Sequence, residues 1–148
     1  MASTYEISNN ITEVSLKRFK SDYSRDFLKC GTTINERQKV AQTLLNYLCE
    51  KFKIASCIVE VKNKPQLHST RNGKLRSKTY GRYYPHKNYI EIFNLTAVKK
   101  QPVSIKTMYD TLLHEFMHHY DMTKLNFTES PHTKGFYMRI SDLKEKLV

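Results

Sequence analysis

An α+β fold is what this sequence predicts, on three observations. Val40, Leu44, Leu48 and Phe52 recur at helical spacing. Residues 54–61 and 89–93 are short runs of β-branched, apolar and aromatic residues, as strands require. Residues 104–121 contain no Pro or Gly and repeat Leu112, Leu113, Phe116, Met117 and Tyr120 at the spacing of a buried helix.

Each element follows from local signals. Residues 1–12 carry little pattern and are expected to be a flexible N-terminus, with residues 13–148 forming one domain. A first helix is placed within 11–28, weakened by Lys20-Ser21-Asp22 and ended by Cys30-Gly31-Thr32. Thr33 and Glu36 form a capping-box signature for a helix over 34–52. Residues 54–61 then read as a strand, and 63–78, with Pro65 and Asn72-Gly73, as an exposed hairpin loop. Two further strands, 79–84 and 89–93, flank Pro85-His86, giving a small sheet of antiparallel type. A helix over 104–124 follows. Ser130 as N-cap and Pro131 in the first turn open a C-terminal helix whose inward stripe is Phe136, Ile140, Leu143 and Leu147.

A chain of 148 residues can bury a sizeable core in a single domain. Three cysteines, Cys30, Cys49 and Cys57, with no C-x-x-C pair, argue against a disulfide framework and against a cysteine metal site. No apolar run reaches membrane-spanning length, and the polar start lacks a signal-peptide core. The expectation is an intracellular protein, cytoplasmic or in the nucleoid or nucleus, neither secreted nor in contact with a membrane.

The net charge of +11 is concentrated. Eight cations, Lys62, Lys64, Arg71, Lys74, Arg76, Lys78, Arg82 and Lys87, fall between Glu60 and Glu91 with no acid among them. Tyr80, Tyr83, Tyr84 and Tyr89 are interleaved. Cations mixed with stacking aromatics suit a surface that meets DNA or RNA, with Arg71, Lys74, Arg76, Lys78 and Arg82 as candidate contacts. The competing readings are a solubilising loop and a face for acidic protein substrates.

The chemistry lies in His114-Glu115-Phe116-Met117-His118. On a helix, residues i and i+4 share a face, so both imidazoles can reach one metal ion while Glu115 addresses a water held by that metal. Two His ligands and a general base are the layout of a zinc metallopeptidase, with one zinc per chain acidifying the water and Glu115 moving its proton. A third ligand is needed. His132 is favoured because it lies four residues before Phe136 on the inward stripe. Asp121, three residues after His118, is the alternative ligand, and both Asp121 and Asp110 are candidate hydrogen-bond partners of the ligand imidazoles.

Residues 112–119, followed by His132-Thr133-Lys134-Gly135-Phe136, resemble the SprT-like (Spartan-type) zinc metallopeptidases, over roughly residues 33–147. The resemblance implies a zincin-like fold: a minimal metallopeptidase domain with N-terminal helices, a small sheet, the H-E-x-x-H helix and a C-terminal helix. It also implies zinc on His114, His118 and His132, Glu115 as base, and a protein or peptide substrate associated with DNA. This chain departs from the pattern in carrying Thr133 where Gly usually follows the third His, with Gly at 135, and no cysteine zinc ribbon follows. For the substrate, strand 89–93 is the candidate edge for an added peptide strand, and Tyr84, Tyr120 and Tyr137 are candidates to hold an oxyanion. Two alternative functions stand beside this one: a nucleic-acid-binding module with a structural or vestigial zinc, and a zinc hydrolase that does not cleave peptides.

Overall fold

A computed structural model describes residues 2–16 and 22–147, with side chains at 75–77 not described. The described residues form an α+β structure of five helices and five strands. In chain order these are α1 (Thr4–Asn10), α2 (Asp22–Leu28), α3 (Ile34–Phe52), β1 (Ile58–Pro65), β2 (Leu67–Arg71), β3 (Lys74–Thr79), β4 (Gly81–Tyr84), β5 (Tyr89–Leu95), α4 (Ile105–Thr123) and α5 (Lys134–Lys146). None of the described helices is long and apolar enough to cross a membrane.

The sheet is mixed, and this corrects the antiparallel expectation. Its order is β1-β5-β4, with β1 parallel and β4 antiparallel to β5. Parallel neighbours need a long connection, and residues 66–88 supply one by first making the separate β2–β3 hairpin and then β4. Central β5 is buried from Ile90 to Asn94 without alternation, as expected where both faces of a strand are covered. Leu44, Leu45, Leu48 and Phe52 of α3, Leu112, Leu113, Phe116 and Met117 of α4, and Val59, Ile90 and Ile92 of the sheet are all buried in one core cluster. These residues come from elements far apart in sequence, so burial of their apolar surface holds α4 firmly against the sheet.

Several boundaries move for identifiable reasons. Lys53 takes a left-handed φ of 55°, and Ile54 N–H closes on Cys49 O, so α3 ends in a Schellman-type turn that uses residues the strand was expected to contain. β1 therefore starts at Ile58. Thr33 caps α3 without the expected reciprocal bonds: its hydroxyl donates to Glu36 Oε1 (3.3 Å) and accepts no amide. In the span expected as a first helix, residues 11–16 are not helical, 17–21 lie outside the described residues, and 22–28 form α2.

Two corrections matter for the site. The N-terminal segment expected to be flexible contains α1, whose N-cap Ser3 accepts from Glu6 N–H and whose Ser8 is fully buried against α5. α5 begins three residues later than Ser130-Pro131 implied. Thr133 is its N-cap, accepting from Phe136 N–H (3.0 Å), and Ser130 is left free for another partner.

Candidate metal centre

α4 delivers His114 and His118 one turn apart on the same face, and the loop before α5 brings His132 to meet them. His132 Nε2 lies 3.2 Å from His114 Nε2 and 3.0 Å from His118 Nε2. One ligand atom from each of the three residues falls within 4.8 Å of the others. A single proton cannot satisfy three nitrogens facing one point, whereas one metal ion can. The three histidines are thus close enough to bind a metal ion. Phe136 forms the floor, stacked on His118 at 4.7 Å and edge-on to His114 at 5.1 Å. Burial pushes the His118 imidazole down to about 3 and His114 to about 4, so both are neutral near pH 7 and keep the lone pair a metal requires.

Glu115 is directed differently. Its carboxylate oxygen is 4.0 Å from His114 Nε2, and the side chain is nearly buried between α4 and β4. Burial pushes its carboxyl up to about 7, partly countered by the Tyr83 main-chain amide. β4 can lie this close to α4 because residue 81 is glycine. A Cβ there would sit 2.8 Å from both Thr111 Cγ2 and Glu91 O.

The remaining candidates are placed as follows. Asp121 does not join the histidines. It is fully buried in an ion pair with Arg139 (2.9 and 3.0 Å) and touches the site through Ser130, whose hydroxyl lies 2.8 Å from both Asp121 Oδ2 and His118 Nδ1. This corrects Asp121 as an alternative ligand and replaces its direct bond to an imidazole with an indirect one. Asp110 bonds to no histidine. It pairs with Lys106 (3.3 Å) and Lys144 (2.8 Å) at the edge of the cleft, where those cations outcompete a neutral imidazole.

Among the three tyrosines, Tyr120 is buried and accepts from Ser15 N–H, and Tyr84 donates to Glu91. Tyr137 alone of them lies at the centre, its ring 6.1 Å from that of His114 and 6.0 Å from that of His132. The strand position also changes. β5 is paired on both sides, so it offers no edge to a peptide. β4 is the outer strand beside α4.

A cleft of about 510 Å³ opens on the histidines, lined by Thr107, Thr111, Glu115, Gly81, Tyr80 and Lys78 among others. A second hollow continues along Gly81–Tyr84 past His118 and Ser130. Of the basic candidates, Arg71, Lys74 and Lys78 are exposed on the β2–β3 hairpin, and Arg82 is exposed on β4 over the Phe93 ring. The Arg76 side chain lies outside the described residues. The interleaved tyrosines mostly have structural partners: Tyr83 bonds to His119, Tyr84 to Glu91 and Tyr89 to Glu60. Tyr80 remains exposed, with Lys78 over its ring.

Ser130 and Arg139 were missed as site residues. Arg139 carried a readable signal, because it lies three residues after Phe136 and so shares its inward face, where a cation needs a buried anion. Ser130 carried none beyond its capping propensity. Compared with known protein families, curated proteins and solved structures, the chain gave no match.

Proposed function

We propose that this chain is a zinc-dependent metallohydrolase, and specifically a zincin-like metallopeptidase. The observation that carries the reading is the convergence of His114, His118 and His132 Nε2 beside a buried Glu115 that is itself not part of the triad. The donor set fits zinc: three neutral imidazoles, no thiolate and an opening on one side, the pattern of a catalytic rather than a closed structural site. Zinc held there supplies Lewis acidity, lowering the pKa of water to about 7 and polarising a carbonyl.

The chain's own residues do the rest. Glu115, at the boundary of α4 and the cleft, accepts the proton of the attacking water on its carboxylate and returns it to the leaving amine. β4 offers its outer edge to an extended peptide along the cleft, and alternate side chains would reach the hollows on either side. Phe136 beneath the imidazoles excludes water from below.

Glu115→Gln tests this directly. The variant is expected to retain one zinc per chain and the native melting temperature while cleavage of an unfolded protein substrate falls by roughly 10² to 10⁴. Cleavage near the wild-type rate would remove Glu115 from the chemistry. Zinc-free wild-type protein under conditions that load other three-histidine sites would remove the metal.

One observation favours a nucleic-acid contact as part of this function. Lys78, at the end of the basic hairpin, also lines the cleft, so the hairpin and the histidine site share one face. A protein substrate held on DNA or RNA would meet both together. With three of the four tyrosines engaged elsewhere, base stacking falls to Tyr80, and phosphate contacts dominate.

A further inference from the structure

The path from Asp121 to the histidine triad does not stop at Ser130, and its far end lies in the N-terminal segment. Ser130 has a single hydroxyl proton and stands 2.8 Å from both His118 Nδ1 and Asp121 Oδ2. An ionised Asp121 can only accept, so the Ser130 proton goes to Asp121, and the Ser130 oxygen accepts from His118 Nδ1–H. That choice fixes the tautomer of His118 and leaves its Nε2 lone pair facing the other two histidines. Burial pushes the Asp121 carboxyl up, and the charge of the fully buried Arg139, 2.9 Å away, works against that rise.

Arg139 is in turn held by α1 and the residue that follows it. It donates to Ser8 O (2.7 Å), Ile11 O (2.7 Å) and Ser8 Oγ (3.1 Å). Ser8 Oγ also meets Thr133 Oγ1 at 2.9 Å, next to His132. α1 therefore reaches the site by two routes, one ending at His118 and one beside His132. The same docking accounts for both sequence departures after the third histidine. Thr133 is needed for its hydroxyl, which caps α5 and meets Ser8. Gly135 is needed because any Cβ there would lie 2.1 Å from Ser8 O.

We propose that Ser130, Asp121 and Arg139 are positioning residues for His118, and that α1 is the clamp that holds this relay and with it the zinc affinity of the site. The proposal rests on the metal reading above. Zinc affinity, measured by competition with a chromophoric chelator, and the melting temperature of the zinc-free protein separate positioning from mere stability.

Ser130→Ala removes one half-buried hydroxyl. It is expected to weaken zinc binding roughly tenfold or more, the range seen when a partner of a ligand imidazole is lost, while the zinc-free melting temperature stays near wild type. It should also shift the visible spectrum of the cobalt-substituted protein. Ser130→Thr, which keeps the hydroxyl, should restore both. Gly135→Ala probes the clamp without touching the relay side chains. It should speed amide exchange in residues 4–10 and weaken zinc binding in parallel.

Wild-type zinc affinity in Ser130→Ala would overturn the relay. Undiminished affinity in a Gly135→Ala protein whose α1 has come loose would overturn the clamp. A wild-type protein that binds no zinc would overturn the metal reading and this proposal with it.

Discussion

The two edges of the three-stranded sheet are finished in opposite ways. Along β1, α3 lays two glutamines against the strand. Gln38 donates to Val59 O (2.8 Å) and accepts from Val61 N–H (2.7 Å), and Gln42 donates to Cys57 O (3.0 Å) and accepts from Val59 N–H (2.9 Å). Residues four apart share a helix face, so the pair acts as a side-chain strand along Cys57 to Val61. β4, at the other side, pairs only with β5 among the described residues and borders the cleft. The β1 edge is thus met by side chains from Cys57 to Val61, whereas on β4 the Tyr83 amide meets Glu115 and Gly81 faces the cleft.

The largest expected effect is at the three histidines beside β4. His132→Ala should lose most bound zinc, and Asp121→Ala should retain more of it than His132→Ala, as measured by metal content after dialysis. The reverse order would return Asp121 to the ligand set. Next comes the seating of β4. Gly81→Val forces a branched side chain against Thr111 and Glu91 O, and a displacement of this kind is expected to cost about 10² in kcat/KM. Zinc content should stay unchanged, because the triad does not lie on β4. Full activity in this variant would mean that β4 does not seat the substrate.

The closed edge should behave in the opposite way. Replacing Gln38 and Gln42 together by leucine leaves four main-chain groups, Cys57 O and three of β1, without these partners. The expected loss is about 2–4 kcal/mol in urea unfolding, since part of each lost bond is recovered from water, with kcat per folded molecule intact. The smallest effect is at the hairpin. Neutralising Arg71, Lys74, Arg76 and Lys78 together should lower DNA affinity and flatten its salt dependence, by a slope of up to about 0.9 per lost phosphate contact. Stability and zinc content should not move. A wild-type protein that binds no DNA at low salt would assign those charges to solubility or to acidic substrates.

What could be read from sequence divides along the same line between local and distant pairing. α3 and α4 were readable because one apolar stripe fixes each helix, and His114, Glu115 and His118 followed because their relation is set by one turn of that helix. His132 was placed inward on the assumption that the helix began at Pro131. It reaches the site from the loop before Thr133, carried by the same Phe136 anchor. The parallel β1–β5 pairing was not readable, since it joins residues about thirty apart through an intervening hairpin. α1 was missed for a different reason. Its only buried residue is Ser8, held by hydrogen bonds to Arg139 and Thr133 and not by an apolar stripe, so it leaves no periodicity to detect.

The glutamine-sealed edge also limits how copies of this sheet can join. Strand-to-strand growth into a fibre needs two adhesive borders per subunit, and from Cys57 to Val61 the β1 border is already occupied by Gln38 and Gln42. Pairing of β4 with a second β4 would stop at two copies. Because β4 borders the cleft, each member of such a pair would cover the other's cleft. Specific activity that falls on concentration and recovers fully on dilution would be the visible trace of that arrangement.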